Sequence, residues 1–503
     1  MLNRCCLIYR STLQLFLAVA CLQTAAWAQG FPKPPPAVKP VVDEYLLLGN
    51  ATRGSGEPMV AVNPADPKNI IVVGMGSLQM LPGYHAPVTA GMTEMYWKRP
   101  FSTVTWLGVT NDGGTRWKVS RLPILSGKFV RCPDPFAGVT KSGVFIAGCE
   151  PRESSPPYFG ESADVVSTDN GKTWSPRANG VNSFNRVPYP RFARGLKPRM
   201  GGNSPWDRPF LTFDDQTGVV YLTDSGGQTA APAGSGKKWR QESYVTASHD
   251  DGRSWGTIYA DDNTQWPQLG RASLAAGHGK LAEIYVASSV PADQHVHCPC
   301  EVFGLSTNEG RTWQRHVMRN LNLKTGGGFG FFFLGGSIGS VGDLTADPIV
   351  AGRYSVLRYS PGPVPHYEVS TSNNYGRTWS RFVSVAGTAG SSWLTKPWLQ
   401  YSRWGVLGLE WRAIYPNYKY DVWAAISTDG GKSFSAPLRI SGLSPGTNYY
   451  RNDGNFGDDV QDFSMSRKHM YVVWSDYRSG FLGTWIGRVA LSSFQCRLAG
   501  DCF

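Results

Sequence analysis

Short apolar runs recur along this chain of 503 residues, and a charged or turn-forming residue precedes each of them. Seven of these runs open a repeating unit, and they begin near residues 57, 134, 207, 271, 343, 396 and 458. A second run follows in each unit, at 70–74, 143–148, 219–223, 282–287, 354–359, 405–411 and 470–474. Runs this short, separated by Gly and Pro, predict β strands, and no stretch has the period of an amphipathic helix.

A second pattern, Ser/Thr-x-Asp-x-Gly-x-x-Trp, falls after the third strand of six units. It reads Ser-Thr-Asp-Asn-Gly-Lys-Thr-Trp at 167–174, and the other copies begin at Thr110, Ser248, Ser306, Ser372 and Ser427. Two copies have Asn308 and Asn374 in place of the Asp, and the last copy has Phe434 in place of the Trp. An Asp or Asn oxygen accepts backbone N–H groups and Gly supplies a positive φ, so each copy predicts a tight hairpin covered by an aromatic ring.

These copies resemble the Asp-box (BNR) repeat of the sialidase-like β-propellers, and the resemblance covers nearly all of the chain after residue 28. It implies an all-β fold in which the boxes are structural hairpins on the face opposite the binding site. Seven units predict seven blades, with six, the number in true sialidases, as the alternative. The last unit has only three strands, and we expect the lone strand at 42–48 to complete it and close the ring.

The first 28 residues have the features of a secretory signal. Arg4 and Arg10 precede an apolar run at 11–22, and small residues precede a cut after Ala28. The sequence therefore predicts a secreted or periplasmic protein, with lipid attachment at Cys21 as an alternative. No later apolar run is long enough to span a membrane. The expected domains are the signal at 1–28, a Pro-rich linker at 29–41, the propeller at 42–495 and a C-terminal disulfide loop at 496–503.

The formal net charge is +12, from 49 Lys and Arg against 37 Asp and Glu. The cations form no basic run, so we expect no nucleic-acid partner. A basic surface suits an acidic glycan or glycoconjugate, although ordinary surface charge is an equal explanation. We expect a monomer that needs no cofactor.

Six cysteines follow the signal, an even number that suggests disulfides in an exported chain. We predict the pairs Cys132–Cys149 and Cys496–Cys502. Cys298 and Cys300 have no obvious outside partner, so their pairing stays open, with a bond between the two as one possibility. Together with His295 and His297 they look superficially like metal ligands, but the spacing differs from that of zinc sites and we expect no metal.

In a propeller, the start of each innermost strand and the end of the next strand reach one face around the central channel. This geometry selects two sets of candidates. The predicted catalytic residues are Asp134, Asp207, Glu410 and Tyr450. The predicted substrate-binding residues are Arg208, Arg271, Arg412, Arg478 and Asp458. Arginines could hold an acidic sugar and a carboxyl could act as a general acid, but the same residues could instead form salt bridges between blades.

The resemblance also implies a Phe/Tyr-Arg-Ile-Pro motif before the first box, where this chain has Lys98-Arg99-Pro100-Phe101 instead. Our leading hypothesis is an exo-glycosidase-type enzyme acting on an acidic glycan. A non-catalytic glycan- or protein-binding envelope propeller is the first alternative, and the missing motif supports it. A polysaccharide lyase with His85 or a Tyr as its base is the second. The Gly- and Phe-rich segment at 326–336 is a candidate lid.

Overall fold

The structure is a computed structural model. It describes residues 42–77, 103–124, 129–153, 162–175, 177–178, 181–182, 185–186, 207–226, 242–260, 265–268, 272–321, 343–416, 419–442 and 460–494. Within these ranges the chain forms seven four-stranded antiparallel sheets arranged as the blades of a β-propeller. The prediction of seven blades is confirmed, and the alternative of six is wrong.

Each blade is numbered along the chain, and its strands are numbered outward from the channel. Blade 1 contains Gly54–Val62, Ile70–Ser77, Val104–Thr110 and Lys118–Arg121. Blade 2 contains Phe136–Val139, Phe145–Cys149, Ala163–Ser167 and Asn185–Arg186. Blade 3 contains Asp207–Phe213, Val220–Gly226, Glu242–Ser248 and Tyr259–Ala260. Blade 4 contains Ser273–Gly277, Lys280–Ala287, Cys300–Ser306 and Gln314–Asn320.

The remaining three blades follow the same order. Blade 5 contains Leu344–Ala346, Tyr354–Ser360, His366–Ser372 and Val383–Val385. Blade 6 contains Trp393–Tyr401, Leu407–Ile414, Tyr420–Ser427 and Leu438–Arg439. Blade 7 contains Asp462–Met465, His469–Asp476, Gly483–Ala490 and, as its outermost strand, Asp43–Leu48.

Minor elements complete the described chain. Two short ladders pair Phe129–Arg131 with Arg152–Glu153 and Arg177–Ala178 with Val181–Asn182. Two 3-10 turns occur, at Ala292–Gln294 and Leu491–Ser493. No helix in the described ranges is long and apolar enough to cross a membrane.

Six hairpins between third and fourth strands have the geometry that the repeated pattern predicts. In the box at 167–174, the Ser167 hydroxyl donates to Asp169 Oδ1 at 2.8 Å and accepts the Gly171 N–H at 2.8 Å. The N–H and hydroxyl of Thr173 donate to the two Asp169 oxygens at 2.8 and 2.6 Å. Burial alone would raise the pKa of Asp169, but these hydrogen bonds hold that pKa below its usual value. The Asp is therefore fully occupied within its own turn.

The two boxes with Asn keep the same backbone bond. Asn308 Oδ1 accepts the Thr312 N–H at 2.9 Å, while its Nδ2 donates to the Thr312 hydroxyl at 2.9 Å. The amide thus reverses one side-chain hydrogen bond without changing the turn. Five of the six boxes have Ser or Thr four residues after the Asp or Asn, and the first box has Arg116 there. The pattern Ser/Thr-x-Asp-x-Gly-x-x-Trp does not include this position.

In blades 2 to 6 the box glycine also packs against the blade before it. A Cβ built on Gly171 would lie 2.7 Å from Val109 in blade 1, and a Cβ on Gly252 would lie 2.7 Å from Ile146 in blade 2. The same relation links Gly310 to Val245, Gly376 to Phe303 and Gly431 to Thr371. These glycines have φ between +77° and +86°, so both the backbone conformation and the close approach exclude other residues.

The strand Asp43–Leu48 closes the ring, as predicted. It pairs antiparallel with the third strand of blade 7, from Asp43 opposite Arg488 to Leu48 opposite Thr484, and the Leu48 side chain is fully buried. The Tyr45 hydroxyl donates to the Gly114 carbonyl at 2.8 Å and accepts the Trp117 indole N–H at 2.6 Å. The first box therefore packs on the closing strand, in the way that the other boxes pack on the preceding blade.

We expect Asp169→Ala to lower the free energy of unfolding by roughly 1–2 kcal/mol, because it removes three hydrogen bonds to a carboxylate at the surface. Asp169→Asn should stay within about 0.5 kcal/mol of the wild type, since the boxes with Asn308 and Asn374 already fold with an amide. Urea unfolding at neutral pH measures both values. An Asn variant as unstable as the Ala variant would contradict this account.

We expect Tyr45→Phe to lower the free energy of unfolding by about 1 kcal/mol, since the Gly114 carbonyl loses a donor while the aromatic packing stays. Leu48→Ala on the same strand is the matched comparison and should cost roughly 2–5 kcal/mol through cavity formation. Thermal or urea unfolding gives both numbers. A Tyr45→Phe variant as stable as the wild type would show that the hydroxyl does not contribute to ring closure.

Candidate functional site

The first and second strands of each blade bring charged residues to one edge of the ring. The start of the innermost strand lies opposite the end of the second strand, as Gly54 opposite Ser77 in blade 1 and Trp393 opposite Ile414 in blade 6. Asp box hairpins follow the third strands and therefore lie at the other edge. We call the first edge the channel mouth.

In three blades, a charged residue with a positive φ lies at the channel mouth, at or near the start of the innermost strand. Glu57, Asp134 and Lys396 have φ of 48°, 50° and 52°, and a proline follows each of them. Non-glycine residues rarely adopt this conformation, and such strain is concentrated at ligand sites. A large side chain comes next, so the triplets read Glu-Pro-Met, Asp-Pro-Phe and Lys-Pro-Trp, and blade 3 has Arg-Pro-Phe at 208–210. This second repeat could have been read from the sequence as charged-Pro-large.

A group of polar side chains, buried where blades 6, 7 and 1 meet, adds acids to the mouth. Glu410 and Arg412 are two residues apart on one strand, so they share a face, and both are fully buried. Arg412 Nε donates to Gln461 Oε1 at 3.2 Å. Asp462, next in the chain, accepts the Val60 N–H of blade 1 at 2.9 Å through Oδ2.

Burial perturbs both carboxyls of this group. It raises the pKa of Glu410 well above its usual value, and the negative charge of Asp462 raises it further while Arg412 lowers it. Burial likewise raises the pKa of Asp462 to about 7, against the effect of hydrogen bonds from the N–H groups of Val60 and Phe463. Among the described residues, neither oxygen of Glu410 has a hydrogen-bond partner. A neutral Glu410 beside an Asp462 that titrates near neutral pH is the expected state.

The central channel below the mouth encloses a cavity of ≈ 190 Å³, and Asp462 lines it. Phe210 of blade 3 and Trp398 of blade 6 meet with their ring centroids 5.6 Å apart. At the Asp-box end, Arg403 of blade 6 pairs with Asp215 of blade 3 at 2.7 Å. Polar contacts from blades 3 and 6 therefore span the channel at that end, and the titrating acid lies nearer the mouth.

Two of the arginines predicted to bind substrate interact with other side chains of the protein. Arg412 lies 4.7 Å from the ring centroid of Tyr420 as well as bonding to Gln461. Arg478 makes two bonds to the Glu44 carboxylate, at 3.0 and 2.9 Å, and one to Asp476 at 2.7 Å. Arg478 thus ties the closing strand to blade 7, and the structure does not bring it together with Glu410 and Asp462.

Of the remaining predicted site residues, the structure describes three at the start of blades 2 and 3. Asp134 lies at the mouth on blade 2 and is half-buried. Asp207 and Arg208 are at the start of the innermost strand of blade 3, where the structure describes their backbone only. Several predicted residues and segments lie outside the described ranges: Tyr450, Arg271, Asp458, His85, Lys98-Arg99-Pro100-Phe101, the candidate lid at 326–336, and Cys496 with Cys502. Reasoning from sequence missed Asp462, because it placed the start of the last unit at 458–460.

The structure contains the predicted disulfide between Cys132 and Cys149, with the Cα atoms 5.4 Å apart. Both cysteines are buried in the hydrophobic core between blades 1 and 2. Cys298 and Cys300 also bond to each other, which settles the pairing that the sequence left open.

Comparison with known proteins supports the repeat and the fold type. The BNR/Asp-box repeat family matches residues 165–176, within the second box and its flanks. A search of curated proteins found no match. Together with the six hairpins and seven blades, the match confirms the predicted β-propeller with Asp-box repeats.

Three solved structures illustrate the similarity. A protein of unknown function from Dyadobacter fermentans has 12% identity and a TM-score of 0.44, over 92% of this chain and 100% of that one. The Penicillium chrysogenum α-L-arabinanase complexed with arabinobiose has 15% identity and a TM-score of 0.41, over 72% and 94%. The NanB sialidase from Streptococcus pneumoniae has 12% and 0.41, over 89% and 94%. Similarity at this level does not identify a reaction.

We expect the titration of Asp462 to appear in the pH dependence of stability. Its folded pKa lies above the ordinary value of 3.8, so the folded protein keeps a proton that the unfolded chain releases. Stability should therefore fall as pH rises from about 4 to 7, by up to about 1.4 kcal/mol per pH unit, and level off above pH 7. The measurement is the difference in free energy of unfolding between wild type and Asp462→Asn across this range. Parallel curves for the two proteins would contradict the assignment.

Proposed function

We propose that the protein is an exported glycoside hydrolase that acts on the ends of acidic glycans, with its site at the channel mouth of blades 6, 7, 1 and 2. The observation that carries the proposal is Asp462, which lines the central cavity and has a pKa of about 7. A general acid–base is most effective when its pKa lies near the working pH. A buried carboxyl in a channel, with a second perturbed acid beside it, fits that requirement.

We assign a role to each candidate residue, and the placement of Asp462, Glu410 and Asp134 at the mouth supports three of these roles. Asp462 would donate a proton to the leaving glycosidic oxygen, and Glu410, buried beside it, would act as a positioning residue. Asp134, at the same mouth on blade 2, is our candidate for the second carboxylate, with Asp207 as its neighbour on blade 3. Tyr450 is the candidate nucleophile.

The preference for an acidic glycan rests on cations near these acids. Lys396 opens blade 6 at the mouth, and Thr395 beside it lies opposite Arg412 in the ladder. We propose that Lys396, Arg208 and Arg271 hold a substrate carboxylate, with Arg412 supporting them from the blade interface. Export through the signal at 1–28 would place this site where glycans occur.

A non-catalytic binding propeller is the second candidate, and one observation favours it. Arg412 and Arg478, both predicted to bind substrate, already bond to Gln461, Glu44 and Asp476. If these arginines serve to stabilise the ring, the aromatic side chains and backbone groups of the channel mouth could still bind a glycan. The protein would then not cleave that glycan.

We expect protein beginning at Gln29 to release product from a fluorogenic sialoside or from one member of a panel of acidic polysaccharides. Asp462→Asn should lower kcat by about 10²-fold or more, the typical contribution of a general acid. The limb of the pH–rate profile near 7 should also disappear.

Asp429→Asn is the matched control, because it changes an aspartate in an Asp box at the other edge of the ring and should leave turnover unchanged. An Asp207→Ala/Arg208→Ala variant tests the blade 3 candidates in the same assay. Absence of turnover on every substrate by natively folded wild type would overturn the hydrolase proposal. Calorimetric binding of the same polysaccharides would then support the binding propeller.

A further inference from the structure

The two disulfides of the described chain lie in different surroundings. Cys132 and Cys149 are 17 residues apart, and both are buried in the core of blades 1 and 2. Cys298 and Cys300 are two residues apart, and Cys300 is the first residue of the third strand of blade 4. Cys300 is fully buried, whereas Cys298 is only half-buried. A reagent in solution therefore has access to the Cys298 side of this bond and to neither side of the other.

The polypeptide around Cys298–Cys300 is held in place by the sheet itself. Cys300 sits in the ladder between Ala287 on one side and Asn320 on the other. The Pro299 carbonyl accepts the Leu321 N–H at 2.9 Å. A disulfide that closes so short a loop also removes less chain entropy from the unfolded state than one that closes a longer loop. The sheet can therefore keep its form when this bond opens.

Two histidines lie close to Cys298 in the chain. His295 and His297 precede Cys298 closely in the chain, and both side chains are exposed. An imidazolium can give its proton to a thiolate that leaves a disulfide. The segment thus combines one half-buried cysteine, one fully buried cysteine and two exposed imidazoles.

We propose that Cys298–Cys300 is a thiol–disulfide exchange site whose reductant is an external thiol. The external thiolate attacks Cys298 Sγ, the bond between the two cysteine sulfurs breaks, and Cys300 Sγ leaves with the electron pair and takes a proton. A second external thiolate then attacks the external sulfur of the mixed disulfide and releases Cys298 as a thiolate. Two external thiols are oxidised to one disulfide, and Cys298 and Cys300 are reduced to two thiols. This activity is independent of the proposed hydrolase.

The test uses wild-type protein from Gln29 onward in glutathione buffers with increasing [GSH]²/[GSSG]. Each sample is alkylated, and mass spectrometry measures the two disulfides separately, while circular dichroism follows the fold. We expect Cys298–Cys300 to open at a ratio at least ~10-fold lower than Cys132–Cys149, with the spectrum unchanged. A mixed disulfide of glutathione should appear on Cys298 and not on Cys300.

The Cys298→Ser/Cys300→Ser variant is the control, and it should keep the wild-type spectrum and unfolding temperature. Three results would overturn the proposal: joint opening of the two disulfides, retention of Cys298–Cys300 until the fold is lost, or unfolding of the double variant. The last result would make the bond structural.

Discussion

The contact on which the fold depends is the one between each Asp-box glycine and the preceding blade. Gly171 approaches Val109 so closely that any side chain would collide with it, and the same approach recurs at Gly252 against Ile146. Hydrogen bonds of Ser167 and Asp169 fix the hairpin that presents the glycine. One local turn therefore sets both the end of a blade and its distance from the next blade.

No blade precedes blade 1 along the chain. Its box therefore packs on the closing strand, which is the outermost strand of blade 7. Tyr45 meets Gly114 and Trp117 from a strand that belongs to the last blade. Arg478 then ties the same strand to blade 7 through Glu44. Ring closure thus depends on a few side chains of one strand, and the arginine predicted to bind substrate serves this purpose.

Aspartates at the two edges of the ring have opposite acid strengths for physical reasons. Asp169 lies in a partly exposed turn where hydroxyl and N–H donors stabilise its anion, so its pKa falls. Asp462 is buried, and burial outweighs the two N–H groups that it accepts, so its pKa rises to about 7. The most regular aspartates of the sequence are therefore structural, and an acid suited to proton transfer stands outside the repeat.

The sequence by itself determined the strands, the box hairpins, the seven blades and the Cys132–Cys149 pair, because each of these depends on short-range patterns of apolar, turn-forming and cysteine residues. It also identified Glu410 and Arg412 as neighbours at the mouth, since alternate residues of one strand share a face. Only the tertiary structure decided that Asp462 joins them and that Arg478 bonds to Glu44. Those relations join residues of different strands or depend on the burial of a side chain. Burial and long-range contact are set by the packing of all seven blades and not by any local stretch of chain.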